Sequence, residues 1–108
     1  MLGHARKAIG FVGDMSFGIF ADDEKTLFAA IRALEIVGEA ARSVPDEIRI
    51  QSPDIPWARV IGMRNILAHD YMGTNPRVVF DTVRLFLPDL IVRLEALAVA
   101  IDRAARAR

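Results

Sequence analysis

The chain has 108 residues, 53% of them apolar and 26% charged, which excludes a disordered chain and leaves room for one hydrophobic core, read here as a single helical domain over 1–108. Fourteen Lys and Arg balance fourteen Asp and Glu, so overall charge gives no support to non-specific nucleic-acid binding, and any such contact has to come from a local cluster of bases. The absence of cysteine excludes disulfides, zinc–thiolate sites and cysteine nucleophiles.

Helical periodicity dominates, with no convincing alternation of period two, so no sheet is expected. A first helix is expected from about Leu2 to Phe17, weakened by Gly3, Gly10 and Gly13, with a short loop from Gly18 to Ala21 after it. Asp22 or Asp23 can cap a second helix running to about Ser43. Its apolar stripe is Leu27, Ile31, Leu34, Gly38 and Ala41; Arg32, Glu35, Glu39 and Arg42 form a parallel polar stripe, read as a solvated, salt-bridged face. Pro45 ends that helix, and Pro45-Asp46-Glu47 can open a short one. Ser52-Pro53-Asp54 and Ile55-Pro56 mark a loop. Pro56 then suits the first turn of a third long helix carrying Trp57, Val60, Ile61, Arg64, Leu67 and Ala68, ended by Gly73. Asn75 can cap and Pro76 open the last helix, whose expected buried seam is Val79, Val83, Phe86, Leu90, Leu94, Leu97 and Ile101, with a kink at Pro88. Four principal helices on short connections predict an all-α, antiparallel four-helix-type bundle with an additional short helix. The most apolar stretch, Leu85 to Ile101, is interrupted by Pro88, Asp89, Arg93 and Glu95, and no secretory signal is visible, so no membrane span and a cytoplasmic location are expected.

The chain has two histidines, which leaves little choice of acid–base residue near neutral pH. His4 lies close to the N-terminus and is read as structural or incidental. His69 lies near the end of the third helix beside Arg64, Asn65, Asp70 and Tyr71. At ~100° per residue, Arg64 and His69 point about 140° apart, Asn65 and His69 share a face, and Tyr71 lies almost over Arg64. Ile61, Ala68 and Met72 lie within this arc and are small or apolar, so a partner helix can pack there. If that partner is the same helix of a second copy, two arginines and two histidines face one cleft. The apolar fraction, slightly high for so short a chain, agrees with an oligomer interface. Such a cleft suits RNA cleavage without a metal: imidazole moves the proton and guanidinium holds the phosphate. Asn65 can orient His69 or bond a phosphate oxygen. The same residues can equally serve as ion-pair and packing groups. The basic end, Arg103, Arg106 and Arg108, is a second candidate RNA contact, with a solvated helix end suited to the helix dipole as the simpler reading.

The run Arg64-Asn65-Ile66-Leu67-Ala68-His69-Asp70-Tyr71 matches the R-x-x-x-x-H-x-Y motif, and the chain thereby resembles the HepT-like toxins of the HEPN superfamily. The segments Ala33 to Ala41, Pro53-Asp54-Ile55-Pro56-Trp57 and Gly62-Met63 are similar to that family as well, and the likeness covers roughly Asp22 to Leu97. Val37 departs from it, standing where isoleucine is commoner. The resemblance implies a HEPN-like fold and a homodimer with a composite site. It implies a metal-independent ribonuclease acting on mRNA or tRNA without a cofactor, and a MntA-like nucleotidyltransferase antitoxin as partner. By position, Arg64 and His69 become the catalytic pair, Asn65 a supporting polar residue and Tyr71 a target for AMP modification. Two other readings stay open: a non-catalytic dimeric helical module that binds a nucleotidyltransferase, and a purely structural helical oligomer.

Overall fold

The computed structural model describes residues 1–69 and 75–107, with the backbone alone for 65–69. Every element among them is helical: α1 Leu2–Val12, α2 Phe17–Asp22, α3 Glu24–Arg42, α4 Asp46–Arg49, α5 Trp57–His69, α6 Pro76–Asp81, a π-helical turn Thr82–Phe86, and α7 Leu87–Arg106. The expected all-α class is therefore the one the chain adopts. No helix among the described residues is long and apolar enough to cross a membrane.

The first helix is shorter than its sequence pattern suggested. Gly13 takes φ +54°, a conformation that costs glycine little, and its N–H donates to the Ile9 carbonyl at 2.8 Å, closing α1. The segment expected to be a loop, Gly18 to Ala21, is instead the body of α2. Ser16 caps it, its hydroxyl accepting from the Ile19 N–H at 3.3 Å. Phe20 is fully buried, with its ring centroid 5.5 Å from that of Phe80. A tertiary aromatic contact thus stabilises a six-residue helix that glycine and short length would leave marginal alone.

Of the two acids expected to cap α3, Asp22 and Asp23, the first ends α2 and it is Asp23 that caps α3. Its carboxylate accepts from the Thr26 N–H at 3.1 Å and from the Thr26 hydroxyl at 2.7 Å. The buried face of α3 is wider than the expected stripe. Leu34, Gly38 and Ala41 are buried together with Ala30, Ala33 and Val37, while Leu27 and Ile31 are half-buried. The reason is that α3 packs on two neighbours, α1 and α5, and among the described residues these are the two most extensive helix–helix contacts. Small residues let both approach closely.

At the other end, Asn75 caps α6 through a 2.9 Å bond from the Arg77 N–H, with Pro76 opening the helix. The irregularity expected at Pro88 lies one turn earlier. Pro88 cannot donate to the Arg84 carbonyl and its ring crowds it. The chain widens there instead: the Leu87 N–H donates to the Thr82 carbonyl, five residues back. This turns Leu87 into the core in place of Phe86, which is only half-buried; Val79, Val83, Leu90, Leu94 and Leu97 are buried as expected. Ile101, expected at the end of the seam, is exposed, because α7 runs on past the core and residues 98–107 are all exposed.

Candidate functional site

The loop before α5 is tied down at several points. Arg49 reaches back from α4 to the end of α3, its guanidinium donating to the carbonyls of Ala41, Arg42 and Val44 at 3.0–3.2 Å. A cation thereby satisfies carbonyls that no helical N–H can reach. Arg93 of α7 donates to the Asp54 carbonyl at 2.6 Å and pairs with the carboxylates of Asp89 and Asp54. Trp57, the first residue of α5, donates its indole N–H to the Ser52 carbonyl at 3.1 Å, and Ile55 is buried beneath. The Pro53–Trp57 segment therefore works as a fixed ramp that sets the direction of α5.

Gly38 sets the depth at which α3 meets α5. A Cβ at Gly38 would lie 3.0 Å from the Arg64 nitrogen, 3.1 Å from the Arg64 Cβ and 3.1 Å from the Val60 carbonyl oxygen. The two backbones are in contact at the residue where the polar arc begins. Val60 and Met63 are buried on the same helix. Ile61, which the sequence offered as a seat for a partner helix, is already half-covered by the chain's own core.

Arg64 itself stays 43% exposed at the edge of this crossing. Its Nε lies 3.6 Å from a Glu39 oxygen, and Nη1 of Arg32 lies 3.9 Å from that same oxygen. Arg32 in turn donates to Glu35 at 3.2 Å. The polar stripe of α3 is thus salt-bridged, as its pattern suggested. It is also part of the surroundings of Arg64, which its pattern did not show. Glu39 is the residue that sequence reasoning left aside; the signal was its place directly after Gly38, the one glycine of α3, where the α5 backbone comes into contact.

Asn65 and His69 stand on the last turns of α5, at helix positions four apart that share a face. Asp70, Tyr71, Met72 and the helix end expected at Gly73 lie outside the described residues. His4 is in the first turn of α1 and half-buried. In the basic C-terminal turn, Arg106 pairs with Asp102 at 3.2 Å, as a solvated helix end would; Arg108 lies outside the described residues.

An all-helical HEPN-like bundle that presents an arginine at the α3–α5 crossing, with a histidine five residues on, defines the class. The family model described as "Ribonuclease HepT-like" matches residues 1–97, and the chain belongs to that family. It is 41% identical over 87 residues to "Probable ribonuclease HepT" of Thermococcus cleftensis, covering 81% of this chain and 79% of that one. It is 33% identical over 102 residues to "Putative RNase MJ0127" of Methanocaldococcus jannaschii, covering 94% of this chain and 84% of that one. No solved structure matches the chain.

Proposed function

We propose that this protein is the toxin of a HepT/MntA-type toxin–antitoxin pair, a metal-independent endoribonuclease of the cytoplasm that cleaves mRNA or tRNA. The observation that carries this reading is a family match over residues 1–97, which spans the whole Arg64–Tyr71 motif. The half-exposed side chain of Arg64 at the α3–α5 crossing supports it.

In this reading His69 accepts the proton of the ribose 2′-hydroxyl. The 2′-oxygen attacks phosphorus, the bond from phosphorus to the 5′-oxygen breaks, and that oxygen leaves with a proton from a second acid. The products are a 2′,3′-cyclic phosphate and a 5′-hydroxyl. Arg64 clamps the phosphate and stabilises the charge that builds on its oxygens. Asn65 keeps the imidazole or a phosphate oxygen in place. Pairing of two copies brings a second Arg64 and His69 to the same cleft, so the second acid comes from the partner. A MntA-like nucleotidyltransferase switches the enzyme off by attaching AMP to Tyr71; the added anion blocks the cleft and competes for Arg64.

The test is cleavage of end-labelled RNA in EDTA by the purified protein. Fragments with 2′,3′-cyclic phosphate ends are expected, DNA is expected to stay intact, and His69→Ala is expected to lose at least about a hundredfold in rate. A His69→Ala protein that cuts as fast as wild type overturns the assignment. Silence of the wild type towards any RNA, with retained binding to a nucleotidyltransferase, would favour the non-catalytic module.

A further inference from the structure

We propose that Arg32 is a second phosphate-binding residue, and that Glu39 is a displaceable counter-ion which holds Arg32 and Arg64 together until an RNA strand replaces it. The inference rests on the ribonuclease reading and names how the strand enters the site.

Both guanidiniums reach one oxygen of Glu39, Arg64 at 3.6 Å and Arg32 at 3.9 Å. Two nitrogens that share one oxygen at these distances lie no farther apart than the two distances together, so both guanidiniums stand on one patch that a single strand can cross. The side chains are open to solvent, 62% for Arg32, 43% for Arg64 and 44% for Glu39. Ion pairs at such exposure contribute little, because water screens the charges and two long side chains must be held in one geometry. Neither distance is within hydrogen-bond range, so the pairs are Coulombic and loose. A phosphate offers a guanidinium fork two oxygens at once, and such bidentate, charge-assisted bonds are stronger. The exchange of carboxylate for phosphate on Arg64 is thus downhill. Arg32 keeps its bond to Glu35, which is the less exposed acid at 24%, through Nη1. Its remaining donors are free in number to take the flanking phosphate. Within this network the charge is balanced, two arginines against two glutamates, so the four groups together do not repel RNA. The basic character appears when Glu39 swings away.

The experiment measures binding of a 2′-O-methyl RNA oligonucleotide, which cannot be cleaved through its 2′-position, as a function of NaCl, alongside cleavage kinetics on ordinary RNA. Arg32→Gln is expected to weaken binding several-fold and to reduce the slope of log Kd against log salt by about 0.7, one phosphate contact on a single strand. Its loss in cleavage falls on KM, and Arg32→Lys restores the salt slope. Glu39→Gln is expected to tighten binding and lower KM. Arg6→Gln, which removes the same charge from α1, is the control and leaves binding as it was. Arg32→Gln with wild-type affinity and salt slope overturns the proposal, as does Glu39→Gln that binds RNA as wild type or more weakly. A wild-type protein that neither binds nor cuts RNA would instead bring down the ribonuclease reading beneath it.

Discussion

Gly38 and Arg64 meet where α3 crosses α5, and the contact is between backbones. A methyl group at Gly38 would meet the Arg64 nitrogen at 3.0 Å and the Val60 carbonyl oxygen at 3.1 Å. Neither atom can rotate away, so one helix has to shift. Alanine gains about 1 kcal/mol of helix propensity over glycine, while overpacking costs about 1–3 kcal/mol. Gly38→Ala is therefore expected to be destabilising by roughly 1 kcal/mol net in urea denaturation, and to lower RNA cleavage because Arg64 moves with the helix. Asp23 is a second residue whose local bonds are decisive. The Thr26 hydroxyl, then the Thr26 backbone N–H, hold its carboxyl below the ordinary carboxylate range. A carboxyl depressed on folding stabilises the fold above its unfolded value near 3.9 and loses that contribution as pH falls through its folded value. Thermal unfolding of Asp23→Ala and wild type should therefore differ most at neutral pH and converge in strong acid. A difference that persists unchanged into strong acid would contradict the cap.

At the scale of elements, α2 and the π turn are the two features whose form the sequence pattern did not give. Helix α2 has six residues and a glycine, and it exists because Phe20 is inserted among Phe80 and the core. Phe20→Ala is expected to cost about 3–5 kcal/mol by chemical denaturation. Ile19→Ala on the same helix, at a side chain 62% exposed, should change stability by less than about 0.5 kcal/mol. Equal effects at the two positions would mean that α2 is held by its backbone alone. The π turn has the opposite logic, with local chemistry altering a tertiary register. Pro88 withdraws one donor, and the helix answers by adding a residue to the preceding turn. Phe86 then leaves the core seam and lies beneath Arg59, whose guanidinium carbon sits 4.0 Å from the ring centroid.

The whole molecule is elongated, 51 × 27 × 19 Å, with a radius of gyration of 14.7 Å. A compact chain of this length would have about 13 Å. The excess comes with exposed apolar surface on the outside of α6, the π turn and α7. Val78, Leu85, Val92 and Val99 recur every seven residues and are 46, 73, 64 and 50% exposed. Val92 and Val99, seven apart on α7, lie along one line of that helix, and Val78 and Leu85 are exposed on the stretch before it. A groove of about 600 Å³ is walled by Val78, Leu85 and Phe86 on one side and by Pro56, just before α5, and Arg59 of α5 on the other, with Asp54, Asp81, Asp89 and Arg93 at its polar parts. A knob and a hollow on one surface suit a second copy related by a two-fold axis. A copy seated there would meet α5 at Arg59, which lines the groove. We therefore expect a dimer by sedimentation at micromolar concentration. Leu85→Glu with Val92→Glu should shift it to monomer and lower cleavage together. A dimer that survives both charges would put the interface elsewhere.

The helical class, the Asp23 and Asn75 caps, the short helix after Pro45 and the Arg64–His69 spacing could all be read from the chain alone. Each depends on residues within a turn or two of one another, where propensity, capping and periodicity act directly. Only the tertiary structure decided that Gly18 to Ala21 is helical, that Leu87 displaces Phe86 in the core, and that Ile101 lies beyond it. It alone placed Glu39 and Arg32 beside Arg64. That neighbourhood depends on how deeply α3 sinks onto α5, which is set by Gly38, by Val60 and by the tied loop at Trp57. These contacts join residues distant in sequence, and no local pattern encodes the angle and depth at which two helices cross.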